Sequence, residues 1–300
     1  MTFLYVTDLH GDVDKYNDIL AYAIDKCINL IHIGADILPK GPDLLSIQKK
    51  FVNGFLKKFY ERCAIANIKV LASFGNDDIY TRKSYFLKYG ELLDQTPYVK
   101  EGFEFSAYNF VPDYPFSLKT ACKLDSAGWI MNQPFFGKPK DVNETGIYTI
   151  EDDQYFAKKG TIEDDLCSFK ADKNSIVAIH CPPTKLGLDV CINAVCSEYG
   201  NLNPQHVFFC EKKLEHPCSE CSGLKKKHIE VGSMAIYNWI ERNKPLLCLA
   251  GHIHESFLAS GKWSGYIGRT LVVQPGQLKA TTFVIIEING DDVQANRIEI

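Results

Sequence analysis

The chain has 300 residues, of which 46% are hydrophobic, and a net charge of −4, the profile of a soluble globular protein long enough to bury a sizeable core. That charge balance argues against membrane and nucleic-acid partners, and no window reaches the roughly 18 uninterrupted apolar residues of a membrane span. The cysteines number 11, and the chain opens straight into a predicted strand with no export-signal pattern. We therefore expect a cytoplasmic protein with reduced or metal-bound thiols rather than a disulfide framework.

In chain order, Thr2 to Thr7 is a β-rich apolar run that stops at Asp8-Leu9-His10-Gly11-Asp12. Asp12 is a good N-cap for a helix running to about Cys27, with an apolar stripe of Val13, Tyr16, Ile19, Leu20, Ala23 and Ile24. Leu30-Ile31-His32-Ile33 reads as a buried strand ending at Gly34-Ala35-Asp36. A second helix is expected from Pro42 to Cys63, burying Leu44, Leu45, Ile47, Phe51, Phe55 and Phe59. A third strand, Ile68 to Phe74, ends at Gly75-Asn76-Asp77-Asp78. Three strand–turn–helix units in series predict an α/β layout with ligands gathered where the strands end.

The region from about 96 to 160 reads as hairpins and long loops overhanging the site, with short strands at Phe103–Phe110, Leu118–Leu124 and Thr145–Ile150. Regular structure returns at Asn174–Ile179, a strand that ends at His180-Cys181-Pro182-Pro183. After an insertion at about 187–228 come a helix from Ser233 to Arg242 and the strand Leu246–Ala250. This strand leads into Gly251-His252-Ile253-His254, where strand alternation would put both imidazoles on one side. Strands at Thr270–Val273, Thr282–Ile288 and Val293–Ile298 and a turn at Pro275-Gly276-Gln277 complete the chain. Candidate ligands span residues 8 to 254, so we expect one domain over 1–300 carrying two variable segments.

Asp8, His10, Asp36, Asn76, His180, His252 and His254 each follow a predicted strand. Two carboxylates, one amide oxygen and four imidazoles suit manganese, iron, cobalt, nickel or zinc better than calcium or magnesium. Seven ligands are too many for one ion, and a bridging carboxylate between two ions resolves the count.

The pattern Asp8-x-His10, Gly34-x-Asp36, Gly75-Asn76, His180 and Gly251-His252-x-His254 resembles the calcineurin-like metallophosphoesterases. Within them it looks most like the Icc-like archaeal and bacterial phosphoesterases. The resemblance implies a four-layer α/β/β/α sandwich, two mixed sheets flanked by helices. It further implies that Asp8, His10 and His254 hold one metal, that Asn76, His180 and His252 hold the other, and that Asp36 bridges them. The expected cofactors are two divalent transition metal ions, and the expected activity is hydrolysis of a small phosphate ester by a metal-bridging hydroxide. Asp36 and His180 would then serve catalysis directly.

Two positions depart from the pattern. Many family members have His where this chain has Asp77, and Asp where it has Pro39. Asp77 could replace the missing acid, and without that His we expect a phosphodiesterase that favours good leaving groups over simple monoesters. Asp78 reads as a cap or an acceptor supporting the ligands. Cys191, Cys196, Cys210, Cys218 and Cys221 crowd the insertion and could form a structural zinc site, with free thiols as the plainer reading. Lys225-Lys226-Lys227-His228 reads as a solvated loop. The alternative from another class is a phosphoesterase-fold scaffold with little catalysis.

Overall fold

The computed structural model describes residues 1–79, 90–93, 97–112, 118–127, 140–143, 146–149, 159–196 and 224–300. The amino-terminal part runs β1 (Thr2–Val6), α1 (Val13–Asp25), β2 (Leu30–Ile33), α2 (Leu44–Phe51), a π-helical segment (Val52–Leu56), α3 (Lys57–Ile65) and β3 (Lys69–Ala72). Next come β4 (Glu91–Leu92), β5 (Tyr98–Lys100), β6 (Phe103–Tyr108), β7 (Lys140–Asn143), β8 (Gly146–Thr149), α4 (Ile162–Ser168) and β9 (Ser175–Ile179). The remainder is β10 (Val190–Cys196), β11 (Leu224–Glu230), α5 (Met234–Asn243), β12 (Leu247–Ala250), α6 (Ser256–Ser260), β13 (Ser264–Ile267), β14 (Thr270–Val273), β15 (Thr282–Asn289) and β16 (Asp292–Glu299).

The strands form two six-stranded sheets, ordered β16-β15-β1-β2-β3-β4 and β13-β14-β12-β9-β6-β5. In the first, β1, β2, β3 and β4 are parallel and β15 and β16 antiparallel; in the second, β6, β9, β12 and β14 are parallel with antiparallel edges. Side-chain alternation explains how the sheets stack. Phe3 and Tyr5 of β1, Leu247 and Leu249 of β12, and Val284 and Ile286 of β15 share one core between the sheets. Leu4 and Val6 turn the other way, onto Tyr16, Ile19 and Leu20 of α1 and Phe59 of α3. Cys248 and Ala250 likewise face Ile236, Trp239 and Ile240 of α5. The result is the α/β/β/α sandwich. Among the described residues no helix is long and apolar enough to cross a membrane.

Several local expectations are corrected. The long second helix contains the π turn at Val52–Leu56, and the extra residue rotates its buried face. Gln48, Val52, Leu56, Phe59, Tyr60 and Cys63 are the buried positions, while Leu44, Leu45, Ile47, Phe51 and Phe55 are half-buried. Of the α1 stripe, Val13 and Ile24 are exposed. β6 is one arm of a hairpin with β5, as expected, but its other edge pairs in parallel with β9, which makes it an inner strand of the second sheet instead of part of an overhang. Among the described residues, Leu118–Leu124 makes only isolated bridges, to Val111, Lys140 and Thr161, and forms no strand. The run Lys225 to His228 lies on β11, whose partner is β10, instead of in a loop.

A cap not foreseen from sequence ties the segment before α4 to α5. The Asp125 carboxylate accepts hydrogen bonds from the Ser233 hydroxyl and from the backbone N–H groups of Met234 and Ala235. Ser233 is the N-cap of α5 and accepts in turn from the Ile236 N–H. Asp125→Ala would orphan these buried donors, and we expect a loss of about 2–3 kcal/mol in urea unfolding, against little change for an exposed aspartate such as Asp14→Ala.

Candidate metal centre

The carboxyl-terminal ends of β1, β2, β3, β9 and β12 bring the predicted ligands together. Asp8 and His10 follow β1, Asp36 follows β2, Asn76 follows β3, His180 follows β9, and His252 and His254 follow β12. Asp8, His10, Asp36 and His254 each offer a ligand atom within 4.8 Å of the others. The Nε2 atoms of His10 and His254 are 3.0 Å apart, and His254 Nε2 is 3.6 Å from an Asp8 oxygen. On the other side, His180 Nε2 is 2.8 Å from Asn76 Oδ1, and the His180 and His252 rings are 4.9 Å apart. Asp36 stands between the two groups, with Oδ2 at 3.7 Å from His10 Nε2 and 3.4 Å from His180 Nε2.

His252 and His254 do not share a strand face, as the alternation argument expected. They lie in the turn beyond β12, and His252 has a φ of 70°. One ring faces His180 and the other His10, so the pair divides between the two groups. Asp8, His10 and Asp36 also adopt positive φ, at 56°, 44° and 52°. Left-handed backbone in non-glycine residues is costly, and its concentration here marks side chains aimed by the surrounding fold. Gly75 and Gly251 permit the close approach: a Cβ on either would land on the carboxylate of Asp36 or Asp8 respectively.

Four loops are locked by acceptors and donors behind the ligands. The buried Asp78 carboxylate accepts from the N–H groups of Ile37 and Leu38 at 3.1 and 2.7 Å, and from Gly75 at 2.9 Å. It joins the loop after β2 to the loop after β3. Asp8 accepts from the His252 N–H through both oxygens, at 3.1 and 3.0 Å. The Gln274 side-chain amide donates to Ile253 O. The Gln277 backbone N–H donates to His254 O, and its side-chain amide donates to Thr7 O.

A family model described as calcineurin-like phosphoesterase matches residues 1–256. The chain belongs to the calcineurin-like phosphoesterases. Among solved structures, the protein TT1561 of Thermus thermophilus is similar with a TM-score of 0.51 at 13% identity, over 98% of this chain and 97% of that one. A dimetal phosphatase from Danio rerio gives a TM-score of 0.48 at 10% identity, over 99% and 95%. Likeness at such identity concerns the fold alone. No curated protein matches.

Membership of the calcineurin-like phosphoesterases implies a site for two divalent cations, and the side chains present fit that group. The donors are a mixed imidazole, carboxylate and amide set suited to borderline divalent ions. Two imidazole Nε2 atoms 3.0 Å apart can carry only one proton between them, so the His10–His254 contact invites a shared electrophile. Charge is poised in the same way. Burial opposes ionisation of Asp8 and Asp36, yet His254 pulls Asp8 down to about 2, and His180 with His10 holds Asp36 well below the carboxylate range. Burial keeps His10 and His252 neutral, at about 4 and 3.

The sequence reading missed Lys40, Gln48, Gln274 and Gln277. Lys40 Nζ is 2.8 Å from Asp77 Oδ2, so the proposed acid is ion-paired. Burial and the Asp36 carboxylate raise the Asp77 pKa, while Lys40 lowers it. A lysine beside the departing Pro39 was the one available signal for this pair. Of the cysteine cluster, Cys191 is half-buried on β10 and burial raises its thiol to about 11. The Cys196 side chain and Cys210, Cys218 and Cys221 lie outside the described residues.

Burial works against a charged His180, but the adjacent Asp36, with Asp8 and Asp78, outweighs it and raises the ring to about 9. A raised histidine contributes stability that is full below its ordinary value of 6.5 and is lost as pH rises through about 9. Chelator-treated protein should therefore lose resistance to urea between pH 6.5 and 9, and His180→Gln should flatten that decline. Manganese affinity measured by calorimetry should rise over the same interval, because the cation must displace the proton.

Proposed function

We propose that this calcineurin-like phosphoesterase hydrolyses small phosphate esters with two divalent transition ions, diesters and activated esters ahead of simple monoesters. The observation that carries this reading is the position of Asp36, whose one oxygen faces an imidazole from each half of the site. Asp8, His10 and His254 would hold one cation, Asn76, His180 and His252 the other, and Asp36 both. Manganese, iron, nickel and zinc all suit the donor set. Such ions, when bound, acidify a solvent molecule and offset charge on phosphoryl oxygens.

The protein's own contribution is placement. Asp36 and His180 are almost completely buried, so the donors are held in a region of low dielectric and need no reorganisation during the reaction. Asp8 and Asp78 fix the loops that carry the ligands. Among the described residues there is no nucleophilic thiol at the centre: Cys181 follows His180 but is fully buried, and burial raises its thiol well above the usual range. Direct attack by water on phosphorus is the consistent chemistry. We assign Asp77 to holding Lys40 rather than to giving a proton, because its carboxylate is engaged by that ammonium. The lack of an imidazole at this position supports the preference for good leaving groups. The free thiols of Cys63, Cys181 and Cys248 support a cytoplasmic setting.

The test is metal content by elemental analysis together with turnover of bis-para-nitrophenyl phosphate and para-nitrophenyl phosphate in manganese. We expect about two equivalents of metal and a diester rate above the monoester rate. Asp36→Asn and His180→Ala should each lower turnover by roughly a hundredfold or more, by the scale of lost metal ligation or support. Protein that takes up metal yet hydrolyses neither ester would leave the scaffold reading standing.

A further inference from the structure

Lys40 lies in the loop between β2 and α2, and its side chain is 52% exposed while Asp77 is 18% exposed. Surface ion pairs contribute little to stability, so a pair this carefully held calls for another reason. The holding is done by Gln48. This side chain is fully buried, donates to Pro39 O at 3.3 Å and Asp77 O at 2.7 Å, and accepts from the Ile79 N–H at 3.0 Å. One glutamine thus fixes the backbone beside Lys40 and the backbone of Asp77 together.

The pair is also built directly onto the metal centre. The Asp77 N–H donates to Asp36 Oδ1 at 2.8 Å, and Asp77 Oδ1 accepts from the Asn76 amide at 3.1 Å. Its other oxygen holds the Lys40 ammonium. The ammonium is close enough for its charge to help lower Asp36 and to disfavour protonation of His10 and His254. An ammonium has three N–H donors, and Asp77 takes one. Among the described residues the other two meet no acceptor, and they can meet an anion arriving from solvent.

We propose that Lys40 is a substrate-contacting residue, donating from its ammonium to an oxygen of the bound phosphate ester, and that Asp77 is its positioning residue. The assignment rests on the phosphoesterase reading and adds to it a protein cation at the substrate. A lysine suits this task because it is a compact charge that can serve a tetrahedral anion from several directions. It also gives Asp77 a use, since an unpaired carboxylate at that point would repel phosphate.

The experiment uses the manganese-loaded full chain and the variants Lys40→Met, Lys40→Arg, Asp77→Asn and the Lys40→Met/Asp77→Asn double. Inorganic phosphate binding is measured by calorimetry beside kcat and KM for bis-para-nitrophenyl phosphate, with metal content and urea midpoint as controls. We expect Lys40→Met to weaken phosphate binding and lower kcat/KM by roughly tenfold to a hundredfold, the scale of a lost charge-assisted hydrogen bond, with two metals retained. Lys40→Arg should recover most of the phosphate affinity. Asp77→Asn should lose part of it, and the double variant should be no worse than Lys40→Met, as expected of two groups acting as one. An active wild type whose Lys40→Met variant binds phosphate and turns over unchanged would overturn this assignment alone. A wild type without metal or turnover would overturn the phosphoesterase reading and the assignment with it.

Discussion

The Asp36 carboxylate is almost completely buried, faces the imidazoles of His10 and His180, and accepts the Asp77 N–H. A charge in that position costs several kcal/mol in desolvation unless its neighbours offset it. Much of the surrounding architecture serves that requirement. Gly75 has no side chain because a Cβ there would occupy the place of the carboxylate. Asp78 holds the loops before and behind it by three backbone N–H groups, so that Asp36 can adopt its left-handed backbone.

The sandwich supplies the stiffness for this arrangement. β1, β2 and β3 lie in one sheet and β9 and β12 in the other, and the centre can form only if the sheets keep their relative position. The core between them, with Phe3, Phe105, Leu247 and Ile286, does most of that work through apolar burial. Tyr5 adds a directional tie, its hydroxyl donating to Ala250 O just before the histidine turn. Gln277 closes the far side by joining that turn to Thr7 and to Thr282 at the start of β15. At the rim, Lys40 and Asp77 meet solvent while Asp77 remains bonded to the interior.

Much of the fold was legible in the sequence because its strands are short apolar runs ending in Gly, Asp, Asn or His. β1, β2, β9, β12 and β14 were all placed within a residue or two, and Asp12 announced its helix as an N-cap. The failures have local causes. The π turn after Phe51 displaced the buried face by a fraction of a turn, which regular helical spacing cannot register. β6 reads as a hairpin arm, which it is with β5, but nothing in Phe103–Tyr108 names β9, the second strand it pairs with, far along the chain. β11 was hidden by a lysine run that looks solvated whatever its backbone does.

At the site, the residue types and their spacing by themselves determined the candidate donors: carboxylate, amide and imidazole groups placed at strand ends, with glycine beside them. Ligand identity is a local property, written in motifs a few residues long. Only tertiary structure decided how those donors divide, because His252 and His254 are two residues apart yet face opposite neighbours through a left-handed backbone. The same holds for Lys40, whose partner Asp77 and support Gln48 come from separate segments. A pairing between distant segments is set by how the sheets and loops pack, and no short stretch of sequence contains it.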